Sequence, residues 1–176
     1  ISGERYYSKE FLKKELDYVW PKVWQIAGWA AEINEPNEFL VYRIGNEEIL
    51  VVRQKDLSVK AFYNVCPHRG NLLIHLDNGS LDKFKCTYHG WEFSIDGTLQ
   101  YVKDSEDFVE ENLCGKLTLQ ELSCEEALGF IWINFDKDCI PLKEFVYPAI
   151  DHLKPYQTEK FIRVLNITAE VNCNWK

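Results

Sequence analysis

Two short boxes, CPHRG at residues 66–70 and CTYHGW at residues 86–91, constrain this chain more than any other feature. Each supplies one thiolate and one imidazole, Cys66 with His68 and Cys86 with His89, and fifteen residues separate them. Such a set suits a [2Fe-2S] cluster with both Cys on one iron and both His on the other. Gly70 and Gly90 fit loops folded over a cluster, because they permit tight turns and close backbone approach to its sulfides. The alternative is a structural zinc ion, which two Cys and two His also enclose. Zinc fingers of that type place both Cys in one box and both His in the other. Here each box is mixed, and Pro67, Gly70, Gly90 and Trp91 match iron-sulfur loops instead. Exchanging two thiolates for neutral imidazoles leaves the core roughly two charge units less negative, so an electron is added at lower electrostatic cost. The boxes therefore predict a one-electron relay more oxidising than a plant-type ferredoxin.

A chain of 176 residues can hold one domain with a proper core, or one domain and a piece of another. Its 46% hydrophobic and 14% aromatic content excludes a disordered class. The net charge of -8 argues against a nucleic-acid surface and suits solubility or a basic redox partner. No apolar run reaches the length of a membrane span and no signal-peptide pattern opens the chain, so a cytoplasmic location is expected. Two of the six cysteines lie in the boxes. The other four, Cys114, Cys124, Cys139 and Cys173, form no CxxC pair and are expected to be free buried thiols. His75 and His152 stand alone and read as surface or packing residues. The chain starts at Ile1 and stops at Lys176, which reads as a piece excised from a longer one.

In order along the chain, Ser8 is placed to cap a helix running to about Trp20, with Leu12, Leu16, Val19 and Trp20 on its apolar face. Pro21 ends it. Residues 23–33 suggest a first strand and turn, and Pro36 with Asn37 a loop. Period-two patterning then predicts a hairpin of residues 39–44 and 48–53 about Gly45-Asn46, and a strand at 59–64 that delivers the first box. Phe84 and Lys85 lead into the second box. Residues 92–95 and 98–101 form a further hairpin about Asp96-Gly97, the acidic stretch 103–112 a solvated loop, and residues 117–124 and 129–135 a last strand pair. A helix over 141–153 closes at Pro155, and residues 160–171 read as a new strand. The expected division is a helix and connecting segment at 1–37, a cluster domain at 38–154, and the start of a truncated catalytic domain at 155–176. The fold class is mainly β: small antiparallel sheets carrying two cluster-binding loops, preceded by a helix.

The two boxes, the helix before them and the ending Asn174-Trp175-Lys176 together resemble the α subunit of Rieske non-haem iron oxygenases, the aromatic-ring-hydroxylating dioxygenase family. The resemblance covers nearly the whole chain but only the first part of such a subunit. It implies the Rieske iron-sulfur fold, with Cys66, His68, Cys86 and His89 holding the [2Fe-2S] cluster. It also implies that a reductase, sometimes through a ferredoxin, supplies electrons that travel on to a mononuclear Fe(II) in a downstream domain. There a 2-His-1-carboxylate triad activates O2 against an organic, aromatic substrate. A trimer-type homo-oligomer is implied, with the edges of His68 and His89 facing a neighbouring subunit; neither nucleic acid nor membrane is an expected partner. The competing reading is a stand-alone Rieske ferredoxin, a carrier without its own substrate, against which the N-terminal helix and the extension past Lys154 argue. Respiratory Rieske proteins carry an extra Cys in each box and a Ser after the second His-Gly; those places hold Asn71, Tyr88 and Trp91. Fewer donors to cluster sulfur predict a potential near the low end of the Rieske range, about -150 mV. Arg69 and Tyr88 are expected to orient ligands, to meet a partner subunit or simply to pack at the surface, Trp91 to shield the cluster from water, and Trp20, Trp24, Trp29 and Trp132 to pack in the core.

Overall fold

A computed structural model describes residues 2–107, 113–162, 164, 165, 167, 169–172 and 175. Part of the acidic stretch 103–112, together with Cys173, Asn174 and Lys176, lies outside them. Helix α1 spans Lys9–Tyr18, capped as the sequence predicts: Ser8 Oγ accepts from the Phe11 N–H at 3.2 Å. Pro21 sits in the 3-10 turn Trp20–Lys22 that follows.

Ten strands follow among the described residues: β1 Gln25–Trp29, β2 Glu38–Ile44, β3 Glu47–Arg53, β4 Val59–Tyr63, β5 Asn78–Ser80, β6 Lys83–Lys85, β7 Glu92–Ser94, β8 Leu99–Tyr101, β9 Glu121–Ala127 and β10 Phe130–Asn134. They form a seven-stranded sheet in the order β1-β10-β9-β4-β3-β2-β5 and a three-stranded sheet β6-β7-β8. All described pairings are antiparallel. The mainly β class with a leading helix is the one expected.

Strand β3 shows how the large sheet is used. Its alternate residues Leu50 and Val52 join one core with Phe39, Phe62, Phe84, Phe93 and Leu99, while Ile49 and Val51 join a second with Ile33, Ala61, Ile131 and Ile133. Side chains alternate faces along a strand, so a strand apolar at every position must be covered on both sides. The small sheet and the two boxes cover the first face. On the second the sheet curls on itself: the Tyr42 hydroxyl of β2 donates to Gln25 Oε1 of β1 at 3.2 Å. Gly28 of β1 lies so near β2 that a Cβ there would meet Leu40 Cδ2 at 2.7 Å. A third, small core joins Trp24 to Leu142 and Val146 of helix α2, Leu142–Leu153.

Four expectations need correction. The strand predicted at 117–124 begins only at Glu121. The residues before it pair with the small sheet instead: the Leu99 N–H donates to Leu117 O at 2.9 Å and the Leu119 N–H to Gly97 O at 2.8 Å. From Glu121 the chain joins β4 of the large sheet, so this segment stitches the two sheets together. The strand predicted at 160–171 is absent among the described residues; those that follow the 3-10 turn Thr158–Lys160 have no ladder partner, and Ile162, Val164, Leu165 and Ile167 are exposed. Of the four tryptophans assigned to the core, Trp24 is buried, whereas Trp20, Trp29 and Trp132 are half-buried. Cys114, Cys124 and Cys139 are likewise half-buried rather than buried.

Candidate metal centre

The two boxes fold into the same turn. In the first, the Cys66 N–H donates to Asn71 O at 2.7 Å and the Gly70 N–H to Cys66 O at 2.9 Å. In the second, the Cys86 N–H donates to Trp91 O at 2.8 Å and the Gly90 N–H to Cys86 O at 2.9 Å. Gly70 and Gly90 take φ values of +70° and +72°, a left-handed backbone that glycine adopts without penalty. An antiparallel pair closes each turn just outside it, Val65 with Leu72 and Lys85 with Glu92. The histidines break the equivalence: His68 follows its cysteine by two positions and His89 by three.

The frames differ in their supports. The second turn caps the β6-β7 hairpin, where Glu92 accepts from Lys83 Nζ at 2.6 Å and Lys85 Nζ at 3.0 Å. The first turn is backed by the Val65–Leu72 bridge and a long bond from the Leu73 N–H to Asn64 O at 3.4 Å. The side chain of buried Asn64 adds to this by pairing with the return limb: its Nδ2 donates to Ile74 O at 2.8 Å and its Oδ1 accepts from the Ile74 N–H at 2.9 Å.

All four predicted residues come together, sorted by chemistry. Cys66 and Cys86 are buried in the core between the sheets, and His68 and His89 are half-buried at the surface above them. The imidazole centroids lie 4.6 Å apart. The Trp91 ring, from the second turn, stacks on His68 of the first with centroids 4.7 Å apart and planes within 5°. Tyr88 is exposed beside His89, with ring centroids 3.8 Å apart. A cleft of about 540 Å³ elsewhere, between α1 and the β2-β3 turn, brings no such chemistry together. The smaller concavity that matters here, about 400 Å³, opens at the imidazole edges and is lined by Arg69 and Tyr88 and, from the following loop, Lys103, Asp104 and Asp107.

Charge follows the same division. Burial pushes the Cys66 thiol up to about 11, and its hydrogen bond to Cys86 adds to this. Burial acts against the Cys86 thiolate too, yet the backbone N–H groups of Tyr88 and His89, with the Cys66 thiol and the Asn71 amide, carry its pKa below the usual thiol value. The two sulfurs are hydrogen-bonded to each other, and their surroundings favour the thiolate form more at Cys86 than at Cys66. Burial, then the neighbouring His89 and Arg69, holds the His68 pKa below the usual imidazole value, favouring the neutral ring that binds metals.

This donor set fits a two-iron cluster. Among the described residues no three His, Cys, Asp or Glu side chains converge as one metal ion would require. A [2Fe-2S] group needs two ligands at each iron, and the site offers a sulfur pair beside a nitrogen pair. The roles of Asn64 and Asn71 carry no local signal: a lone Asn near a turn looks like turn chemistry until the opposite limb is in place. His75 and His152 are exposed and remote from this cluster of side chains, as the sequence suggests.

Comparison with known proteins agrees with this geometry. The chain is 34% identical to the large oxygenase component of the naphthalene 1,2-dioxygenase system of Pseudomonas aeruginosa, over 84% of this chain and 33% of that protein. It is 30% identical to the carnitine monooxygenase oxygenase subunit of Acinetobacter pittii, over 97% of this chain and 46% of that one. Among solved structures it superposes on a naphthalene 1,2-dioxygenase bound to phenanthrene with a TM-score of 0.78, at 35% identity over 84% of this chain and 34% of that one. A quaternary ammonium Rieske monooxygenase in complex with L-carnitine gives a TM-score of 0.80, at 28% identity over 89% and 45%. The chain therefore spans between a third and a half of the relatives it matches, and corresponds to their N-terminal part. Residues 23–114 match the family model for the Rieske [2Fe-2S] domain, and with the paired turns they place the chain in that family: it is a Rieske [2Fe-2S] domain protein.

Proposed function

We propose that Cys66 and Cys86 hold one iron of the [2Fe-2S] cluster and His68 and His89 the other, and that the chain is the electron-receiving part of a Rieske oxygenase α subunit. The observation that carries this reading is the pair of matched turns, which put two sulfurs inside and two imidazoles at the surface. When bound there, the cluster supplies reversible one-electron chemistry. The protein's own part is to exclude water from the sulfur side, with Trp91, Phe84 and Phe93 around the cysteines, and to leave a polar edge at His68 and His89. Arg69 and Tyr88 flank that edge, placed to orient the imidazoles or to meet a partner. We assign the cluster to a unit at 38–154, with 1–37 before it and the start of a catalytic domain from 155; β1, within the leading segment, extends the same sheet.

For the whole protein we propose electron supply by a reductase, with or without a ferredoxin, onward transfer to a mononuclear Fe(II) in a downstream domain, and O2-dependent hydroxylation of an organic, aromatic substrate by a trimer-type homo-oligomer in the cytoplasm. The similarity to oxygenase subunits supports this over a free-standing ferredoxin, because it extends over 97% of the chain, well past the cluster domain. Among the described residues no helix is long and apolar enough to cross a membrane. Anaerobic purification followed by EPR of the reduced protein tests the cluster assignment. A low average g value characteristic of imidazole-ligated [2Fe-2S] is expected; a colourless protein containing zinc would refute it. For the downstream reaction, hydroxylated product should form only when the full-length protein is combined with a reductase, NAD(P)H and O2.

A further inference from the structure

The two turns reach across to each other through the residues that close them, and they do so differently. Trp91 closes the second turn with its carbonyl and lays its ring on His68 of the first. Asn71 closes the first with its carbonyl and aims its half-buried amide at the second: Nδ2 donates to Cys86 Sγ at 3.8 Å and to Leu72 O at 2.7 Å. An amide nitrogen carries two hydrogens, so both bonds can form together. The bond to Leu72 O fixes the amide plane against the return limb, leaving the second hydrogen directed at sulfur.

We propose that Asn71 sets the reduction potential of the centre by hydrogen bonding to the sulfur of Cys86. The inference rests on the assignment of Cys86 as an iron ligand. One-electron reduction adds one negative charge to the cluster and its ligand atoms, and an N–H directed at a ligand sulfur stabilises that charge. Asn71 touches neither substrate nor iron; it is a positioning residue acting through Cys86. It also modifies the expectation drawn from sequence. Asn71 occupies the place where respiratory proteins carry an extra cysteine, and the donor it provides lifts the potential above the value that few donors would leave.

The test is a redox titration of the cluster-loaded protein followed by visible absorbance and EPR, with Asn71→Leu and Asn71→Asp beside the parent. Asn71→Leu keeps the branching and number of side-chain heavy atoms and removes the donor. With iron and sulfide content unchanged, its midpoint should fall by the equivalent of about a tenfold change in the reduction equilibrium, roughly 59 mV for one electron. Asn71→Asp, which replaces the donor by a carboxylate, should fall further. A midpoint unmoved in Asn71→Leu at full cluster content overturns the proposal. If that variant fails to load its cluster, pulsed EPR of the reduced parent decides: a weak coupling to a ¹⁵N-labelled asparagine side chain supports the bond, and its absence overturns it. Loss of the imidazole-type EPR signature in the parent itself would instead refute the cluster assignment, a separate result.

Discussion

The first ligand turn and the second share one backbone design and differ in nearly everything attached to it. Both run six residues, both are closed by the carbonyl of the sixth, and both bend at a glycine with φ near +70°. Yet the second is gripped by a ladder and two lysine–glutamate pairs, whereas the first depends on one bridge, one long backbone bond and the buried amide of Asn64. The imidazole also sits one position earlier in the first turn. What must be equal is the position of each sulfur and the curvature around it; what must differ is the place of the ring, so that both nitrogens arrive at the same side.

The sharpest way to break this comparison is to make the turns identical. Exchanging His68→Arg together with Arg69→His gives the first turn the spacing of the second. The [2Fe-2S] absorbance is expected to vanish, as it is in Cys66→Ala or Cys86→Ala; retention of the cluster in the exchanged protein would show that histidine position is free within the turn. The next largest effect falls on one turn alone. Asn64→Ala strands the buried N–H and C=O of Ile74 and should lower the unfolding free energy by about 3 kcal/mol, measured by denaturant titration. Cluster loss on mild heating should begin earlier as well.

Glycine substitutions sharpen the likeness. A Cβ at Gly70 or Gly90 meets nothing within 4 Å, so alanine there pays only for the left-handed backbone, about 1 kcal/mol at each, and the two thermal shifts should match. Gly97, at the β7-β8 turn with φ +89°, is different: its Cβ would meet Phe62 Cε1 at 2.6 Å. Gly97→Ala should cost about 3 kcal/mol, strain and overpacking together.

The smallest effect at neutral pH distinguishes the loop cysteines from one in the scaffold. Burial pushes the Cys124 thiol of β9 up to about 12 from its ordinary 9.0. The fold thus favours the neutral thiol, so its contribution to stability is complete below pH 9 and is lost as pH rises towards 12. Cys124→Val should leave stability near pH 7 almost unchanged and flatten its decline between about pH 9 and 11, read from denaturant midpoints.

Much of this architecture can be read from local pattern. The boxes, the hairpins at Gly45-Asn46 and Asp96-Gly97, and the Ser8 cap each depend on residues close together in sequence, where turn chemistry and period-two alternation act. The misses are non-local. Strand β5 reads Asn78-Gly79-Ser80, with no β-formers and no alternation; it is a strand because the edge of β2 offers it hydrogen bonds. Residues 160–171 are rich in apolar and β-branched side chains, as a strand should be, but a strand requires a neighbour, and none of the described strands pairs with the described residues among them. The donation of Asn71 to Cys86 joins residues fifteen positions apart on opposite turns, and only the packing of the two sheets brings them within reach.

The segment at 117–121, which leaves the small sheet and enters the large one within a few residues, bears on how the site fails. Because one continuous run of backbone is hydrogen-bonded to both halves, neither ligand turn can swing away as a hinged flap while the other stays in place. Amides on β4, β7 and the segment 117–121 should consequently exchange with solvent as one cooperative block, and heating should release iron in a single step rather than through a half-liganded intermediate.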